Sequence, residues 1–529
     1  MKPNHHAAGP CEQAAEVSAT AGRSPGALGG AGLWAARLAC WVCVGFVFLS
    51  LHRWAALKEL DHDEYERTHA AWLMRHGKAP FRDFFDHKPP YYWWLIQGYF
   101  AMAGENDGVF LWGRHMTQAA YALSVLALYL LGRYWYGEAA GLAAAVFFAC
   151  NKLAHYNGTL MRADAWMVLL LLAGTAVFVR GWNRKFAWSE ALLSGALLGL
   201  AVGVLQKAVF TVAALALGTA YRCQFVTGWR VVRERWPRLL AFAGVALVPI
   251  LVPFFLYGWR AYWFFCYVVP MNLEPRFSPY GLFMNLFTGA YGVLPFALFG
   301  LGIVGAELAG DHRRTERAAL VLLLFAFNFA QVCSNRLPYI QAFHVFMPFL
   351  ALIGGRAVGW LAERVAPAAA AWGLALLALG GAVVNVHPPY WMYPPNLDRQ
   401  RGLIERLNRF IPADETCAAP MGGWHPVFRA DGTYFPWDFS LKSLQRIDPA
   451  FRHDYVAELA ETRPFLVHAG MAERMAHDPA QPPRFKEWLA QNYEPLPDSD
   501  YWMRKRTVSR GREARLPDGV AALFQRGTK

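Results

Sequence analysis

Charge is what this chain has least of. Asp, Glu, Lys and Arg make up 17% of its 529 residues, while 56% are hydrophobic. Soluble domains carry about 25% charge, and an intrinsically disordered chain needs low hydrophobicity and high charge, so disorder is excluded. Cysteine is scarce as well, with eight in all. Cys40, Cys43, Cys150 and Cys333 sit in or at the ends of apolar runs, and Cys417 stands alone in the C-terminal region. No disulfide framework follows, which excludes a small disulfide scaffold. Cys40 and Cys43 form a C-x-x-C inside an apolar run with no second ligand pair, so a metal or redox centre is not read from them. No Walker or Rossmann glycine pattern opens a helix after a strand. Carboxylates are nearly missing from the apolar runs themselves.

Those runs are blocks rather than periodic stripes, which makes a soluble enzyme a poor reading and an integral membrane protein the first one. A helix needs about 20 apolar residues to cross the hydrocarbon core. Eleven segments qualify: 32–51, 111–131, 138–154, 165–179, 189–205, 208–222, 239–257, 286–306, 318–334, 339–359 and 368–386. The pair 189–205 and 208–222, with Gln206 and Lys207 between, reads as a tight hairpin or as one broken helix. Residues 91–103 (YYWWLIQGYFAMA) are too short and too aromatic for a span and read as an interfacial helix. The net charge of +13 has a membrane explanation: with the N-terminus inside, Arg133, Arg180, Arg184, Lys185, Arg230, Arg233, Arg235, Arg238, Arg313, Arg314, Arg317, Arg356 and Arg364 all fall on inside loops. Residues 1–31, rich in Ala, Gly and Ser, read as a disordered cytoplasmic tail ahead of an uncleaved anchor. Residues 387–529 hold no span and read as a small outer α/β domain, with helical patterns near 398–410, 450–462 and 483–492 and a strand-like run at 463–468. Its basic stretch 504–515 reads as a solvated or headgroup-facing tail.

The informative stretch is 61–90, DHDEYERTHAAWLMRHGKAPFRDFFDHKPP, within the outer loop 52–110. It follows the first span directly and crowds Asp61, Asp63, Glu64, Glu66, Asp83 and Asp86 beside Arg67, Arg82, His87 and Lys88. Charges this dense beside a bilayer are costly to dehydrate and mark an aqueous site. The interleaved aromatics, among them Trp72, Phe84, Phe85, Trp93 and Trp94, point to a folded amphipathic layer rather than a solvated loop.

An acidic pair Asp63-Glu64 just after the first span, then Gly77, Pro80, Arg82-Asp83-Phe84-Phe85-Asp86 and Lys88-Pro89-Pro90, resembles the GT-C glycosyltransferases. In particular it resembles the bacterial relatives of protein O-mannosyltransferase and of the lipid A aminoarabinose transferase. Further elements follow in order: Arg114, Arg162 with Asp164, Lys207, and His344 with Pro348. The resemblance covers roughly 32–360. It implies a helical membrane protein of the bacterial inner membrane, with active site and C-terminal domain periplasmic. It implies sugar transfer, with inversion, from a polyprenyl-phosphate donor to a hydroxyl on a glycolipid, lipopolysaccharide or protein, with undecaprenyl phosphate as the bacterial carrier.

The chemistry of such a reaction fits the loop. A phosphate leaving group is already a weak base and needs cations, and the acceptor hydroxyl needs a base. Asp63, first of the acidic pair, is the expected base, set against a plain ion pair with Arg67 or Lys88. Glu64 supports it, and Asp164 is a second carboxylate, set against a helix N-terminal charge. Arg82, Asp86, Lys88, Arg114, Arg162, Lys207, Arg336 and His344 are expected to bind substrate, and Trp93 and Trp94 to touch the carrier lipid. No cofactor is certain. A divalent cation shared by Asp63 and Asp164 is open. A transporter or flippase would instead place ionisable residues at mid-span. A glycan ligase or polymerase would put its largest outer loop later, and a degenerate scaffold would not keep the acidic pair and the K-P-P.

Overall fold

The computed structural model describes residues 30–227, 229–273, 278–290, 292–310, 312–334, 340–385, 396–420, 425–435 and 438–511. The expected tail 1–31 lies almost wholly outside them, as do Arg336 and residues 512–515 at the end of the basic stretch.

Helices dominate. α1 (Gly30–Leu57) leads into α2 (His62–Arg75), α3 (Tyr91–Ala103), α4 (Gly108–Tyr136), α5 (Glu138–Ala149), α6 (Lys152–Thr159), α7 (Ala163–Trp182), α8 (Trp188–Val204), α9 (Val209–Arg222) and α10 (Arg230–Tyr257). Then come α11 (Pro279–Gly289), α12 (Leu294–Leu308), α13 (His312–Ser334), α14 (Met347–Ala362) and α15 (Pro367–Asn385). Among the described residues six helices are long and apolar enough to cross a membrane, seven if the bent pair α11 and α12 is one span, and α5, α8 and α14 are shorter apolar helices. The expected span 286–306 is therefore not one straight rod: α11 and α12 meet at 103°. The pair at 189–222 is no simple continuous helix either. A single 3₁₀ turn at Gln206–Ala208 separates α8, which packs on α7 and α10, from α9, which packs on α13.

Small residues set how closely the helices approach. Gly195 and Gly199 lie four apart on α8, one turn of one face. A Cβ built on them would sit 2.5 Å from the Phe242 carbonyl oxygen and 2.3 Å from that of Ala246 on α10. Only glycine lets the backbones meet there, the packing device of membrane helices that lack a hydrophobic drive for association.

The C-terminal part carries a five-stranded sheet in the order β2-β1-β3-β5-β4, from β1 (Thr416–Ala418), β2 (Ala430–Asp431), β3 (Leu466–His468), β4 (Tyr493–Pro495) and β5 (Tyr501–Arg504). β2, β1 and β3 run parallel, and β5 and β4 join antiparallel. Helices Leu397–Phe410, Tyr455–Thr462 and Gln481–Asn492 accompany it. The apolar core is continuous with that of the bundle, joining Ile404, Ala418, Val427 and Tyr434 to Phe81, Phe84 and Phe85. Tyr434 fixes the junction: its hydroxyl donates to the Phe81 carbonyl at 2.7 Å, and its own carbonyl accepts the Phe85 N–H at 3.0 Å. The sheet thus sits directly against the loop 61–90.

Candidate active site

α2 begins where it does because Asp61 caps it. The Asp61 carboxylate accepts the Asp63 N–H at 2.9 Å, and the Glu64 carboxylate accepts the Asp61 N–H at 2.9 Å, a reciprocal capping box. That cap aims three carboxylates differently. Glu64 is fully buried and takes Arg114 in a fork, 2.8 and 2.7 Å, plus the Met161 N–H at 2.9 Å. Arg114 gives its remaining hydrogens to the carbonyls of Ala55, Lys58 and Glu59 at 2.5, 2.7 and 2.9 Å. Both residues are therefore engaged in holding α1, α2 and α4 together. The expectation that Arg114 binds substrate is corrected: its donors are used and it is buried. Glu64 likewise has no carboxylate edge left for chemistry.

Asp63 keeps one. Its side chain is 14% exposed, with Arg162 Nη1 at 2.5 Å and Lys88 Nζ at 3.4 Å. Arg162, buried, bridges to Asp61 at 2.9 Å and to the Tyr156 hydroxyl at 3.0 Å, and Tyr156 itself donates to Asp61 at 2.5 Å. Burial alone would raise the Asp63 carboxyl, but Lys88, Arg162, Arg67 and His62 outweigh it and hold it well below the usual range. Lys88 also meets Glu66, and these two anions hold its ammonium above the ordinary value against burial. Asp86 turns the chain into Lys88: one oxygen accepts the N–H of His87 at 2.6 Å and of Lys88 at 3.0 Å. Its other oxygen is buried without a partner among the described residues, as is Oε1 of Glu66. Burial first, and Glu66 second, push the Asp86 carboxyl up to about 7.

The other expected residues divide. Asp164 is buried at the start of α7 and pairs with Lys207. His344 is fully buried between Tyr121 and Phe148, ring centroids 5.9 Å away on each side, with neither nitrogen hydrogen-bonded among the described residues. Arg82 is not drawn into the site: its side chain is 71% exposed and pairs with its neighbour Asp83 at 2.8 Å. Trp93 is 1% exposed, packed on Phe81 and Phe84, so its expected lipid contact is corrected to a core role. Trp94 is half-buried and lies against Tyr91. Helix 91–103 exists as expected, but Tyr92, Trp93, Ile96, Tyr99 and Phe100 are buried in protein rather than laid on a surface.

The dolichyl-phosphate-mannose-protein mannosyltransferase family model matches residues 87–254, short of half the chain. Among solved structures, ArnT from Cupriavidus metallidurans bound to undecaprenyl phosphate superposes at a TM-score of 0.58 with 14% identity, over 90% of this chain and 99% of that one. The oligosaccharyltransferase AglB from Archaeoglobus fulgidus, solved with an inhibitory peptide and a dolichol-phosphate, gives 0.54 and 12% over 91% and 75%. This chain has the GT-C fold. The resemblance read from residues 63–90 is borne out at that level. Against the apo Archaeoglobus fulgidus oligosaccharyltransferase the GT-C chain spans 57% of that chain's length, at a TM-score of 0.49 and 13% identity. No curated protein sequence matches it significantly.

Within this GT-C chain one cation that the sequence offers only as an ion-pair partner for Asp63 stands out. Arg67 is buried on α2, one turn beyond Asp63, with its guanidinium carbon 5.2 Å from the Tyr92 ring centroid. Among the described residues its Nε has no hydrogen-bond partner and it forms no ion pair. The i, i+4 spacing from Asp63 was the available signal.

Proposed function

We propose that the chain transfers a sugar from a polyprenyl-phosphate-linked donor to an acceptor hydroxyl at the outer, periplasmic face of a bacterial inner membrane. The observation that carries this is Asp63: a carboxylate with one open edge, ringed by Lys88, Arg162 and Arg67, the last without an ion pair among the described residues. Lys88 and Arg67 are the cations for the donor phosphate, and Arg162 holds the base in place through Asp61 and Tyr156. The acceptor oxygen attacks the anomeric carbon, the bond from that carbon to the phosphate oxygen breaks, and Asp63 takes the acceptor proton. The leaving polyprenyl phosphate carries off the electron pair, and attack opposite the phosphate inverts the anomeric centre. A carboxylate held this low is a weak base. The donor phosphate supplies the remedy, because it draws on the same cations and so raises Asp63 when bound.

Asp164 and Lys207 form the far wall of the same site, with His344 behind them, and Trp94 faces the carrier. For a divalent cation the better fit is not Asp63 with Asp164, each of which faces its own cation. Glu66, Asp86 and His87 bring ligand atoms within 4.8 Å of one another, two of the carboxylate oxygens unpartnered. Eleven spans, with α4 and the short apolar helices counted, and an outer domain at 387–529 that covers the site and selects the acceptor complete the proposal.

The test is transfer by purified protein from a defined polyprenyl-phosphate sugar, wild type against Asp63→Asn, with mass spectrometry of the cell envelope in the complemented deletion strain. One sugar-bearing species should return only with wild type. Full restoration by Asp63→Asn removes Asp63 as the base. Donor-independent passage of labelled solute into proteoliposomes would favour transport instead.

A further inference from the structure

The N-terminal half of α1 carries a second polar site, remote from the first. From Arg37 to Leu57 the helix rises about 30 Å, one hydrocarbon thickness. At that far end Arg37 Nε meets Glu138 Oε1 at 2.6 Å and Arg133 Nε meets Glu138 Oε2 at 3.0 Å, while the Tyr129 hydroxyl donates to Glu138 at 2.8 Å. Two guanidiniums thus share one carboxylate, leaving a net positive charge. Neither terminal nitrogen of Arg37 has a protein partner among the described residues. The pair opens onto a groove of about 550 Å³ lined by Trp34, Arg37, Leu38, Trp41, Tyr129 and Arg133. Its walls are apolar and outward-facing: Trp34 is 68% and Leu38 67% exposed. The Arg37 guanidinium lies 5.4 Å from the Trp34 ring centroid, and Trp41 meets Tyr129 edge-on at 5.4 Å.

We infer that this groove binds an anionic phospholipid of the leaflet opposite the active site, its phosphate on Arg37 and Arg133 and an acyl chain along Trp34, Leu38 and Trp41. Charge complementarity selects the occupant. A zwitterionic headgroup brings its own cation to a place that already holds two, whereas an anionic one neutralises the surplus. Indole rings at this depth suit the glycerol region, and basic pockets between membrane helices suit acidic headgroups. Glu138 holds the two guanidiniums apart and at the same time competes with the phosphate for them.

Native mass spectrometry of the full chain in detergent, titrated with dioleoyl phosphatidylglycerol or dioleoyl phosphatidylcholine, tests this. Wild type should retain one phosphatidylglycerol at least about fivefold better than phosphatidylcholine, the size of one interfacial cation. Arg37→Gln with Arg133→Gln should abolish the preference, and Glu138→Gln should strengthen it by freeing both arginines. Equal retention of the two lipids by wild type overturns the inference. So does a preference that survives in the double variant, or one that Glu138→Gln leaves unchanged or weakens. Should the double variant fail to fold, Arg133→Gln alone, at a side chain 52% exposed, must still lower the preference.

Discussion

Two adjacent carboxylates on one helical turn should respond in opposite ways to the same isosteric change. Glu64→Gln leaves Arg114 fully buried with its fork unpaired, beside three backbone carbonyls that this guanidinium organises. Breaking a buried pair by neutralising one partner costs about 3–5 kcal/mol, because the surviving charge stays in a low-dielectric interior. On the usual scaling for a chain of 529 residues this is a fall in melting temperature of roughly 3–5 °C. Asp63→Asn removes a charge too, yet Arg162 keeps Asp61 and Lys88 keeps Glu66. No buried cation is stranded, so the expected stability change is within about 1 kcal/mol, while turnover should fall about 10²–10⁴-fold with the loss of the base. The assay pairs a melting temperature in detergent with single-turnover sugar transfer on the same preparations. A Glu64→Gln protein that melts like wild type but is inactive, with an Asp63→Asn protein that unfolds, would refute the division of labour drawn from the geometry.

Arg67→Met keeps the packing on Tyr92 but removes the cation, and should raise the donor KM about 10–100-fold with little change in melting temperature; an unchanged KM removes Arg67 from phosphate binding. Trp93→Ala should destabilise by about 3–5 kcal/mol as a core truncation, whereas Trp94→Ala should act on donor KM alone, which parallel melting and kinetic measurements separate. A pH effect is expected at the junction with the sheet, where buried His69 gives Nε2 to Asp431 at 2.8 Å and Nδ1 to the Val427 carbonyl at 2.6 Å. Both partners are acceptors, an arrangement that favours the doubly protonated ring. Burial would lower it, but Asp431 and the Val427 carbonyl hold it above its ordinary value. A raised histidine stabilises fully below the unfolded value near 6.5 and is lost as pH climbs through the folded one. Hydrogen exchange in 425–435 should therefore accelerate, beyond the intrinsic rate, as pH is raised through and above neutrality, and His69→Gln should abolish that pH dependence; pH-independent protection in wild type contradicts it.

Much of this was legible because the chemistry is concentrated in one loop. The spacing from Asp63 to Lys88 marked the place where Asp63, Lys88 and Asp86 meet, and the apolar blocks marked the helices. What stayed hidden is pairing across long separations. Nothing local says that Glu64 will be consumed by Arg114, fifty positions on, while Asp63 is left an open edge. The capping box decides that by rotating one acid inward and the next toward the site. Trp93 and Trp94 are indistinguishable by composition, and only the turn set by Pro89 and Pro90 buries the first. His69 and Asp431 lie 362 positions apart, and their meeting depends on a sheet whose strands are two to four residues long.

The charges of the site make sense only together. Asp61, Asp63, Glu66 and Asp86 face Arg67, Lys88 and Arg162, an acidic surplus of one if every carboxylate is ionised, and Asp86, its carboxyl pushed up to about 7, is the group that can shed that surplus by keeping a proton. A donor phosphate entering this set adds anionic charge, and the group that yields most cheaply is the one already half-protonated. Asp86 thus lets the site accept a phosphate without unpairing Asp63 from its cations all at once. Measured without divalent cation, which would displace that proton, donor affinity should then fall as pH rises through about 7, and Asp86→Asn, neutral at every pH, should flatten that dependence while leaving the Asp63-dependent step intact. Affinity that falls with pH equally in Asp86→Asn would assign the effect to the phosphate or to another group.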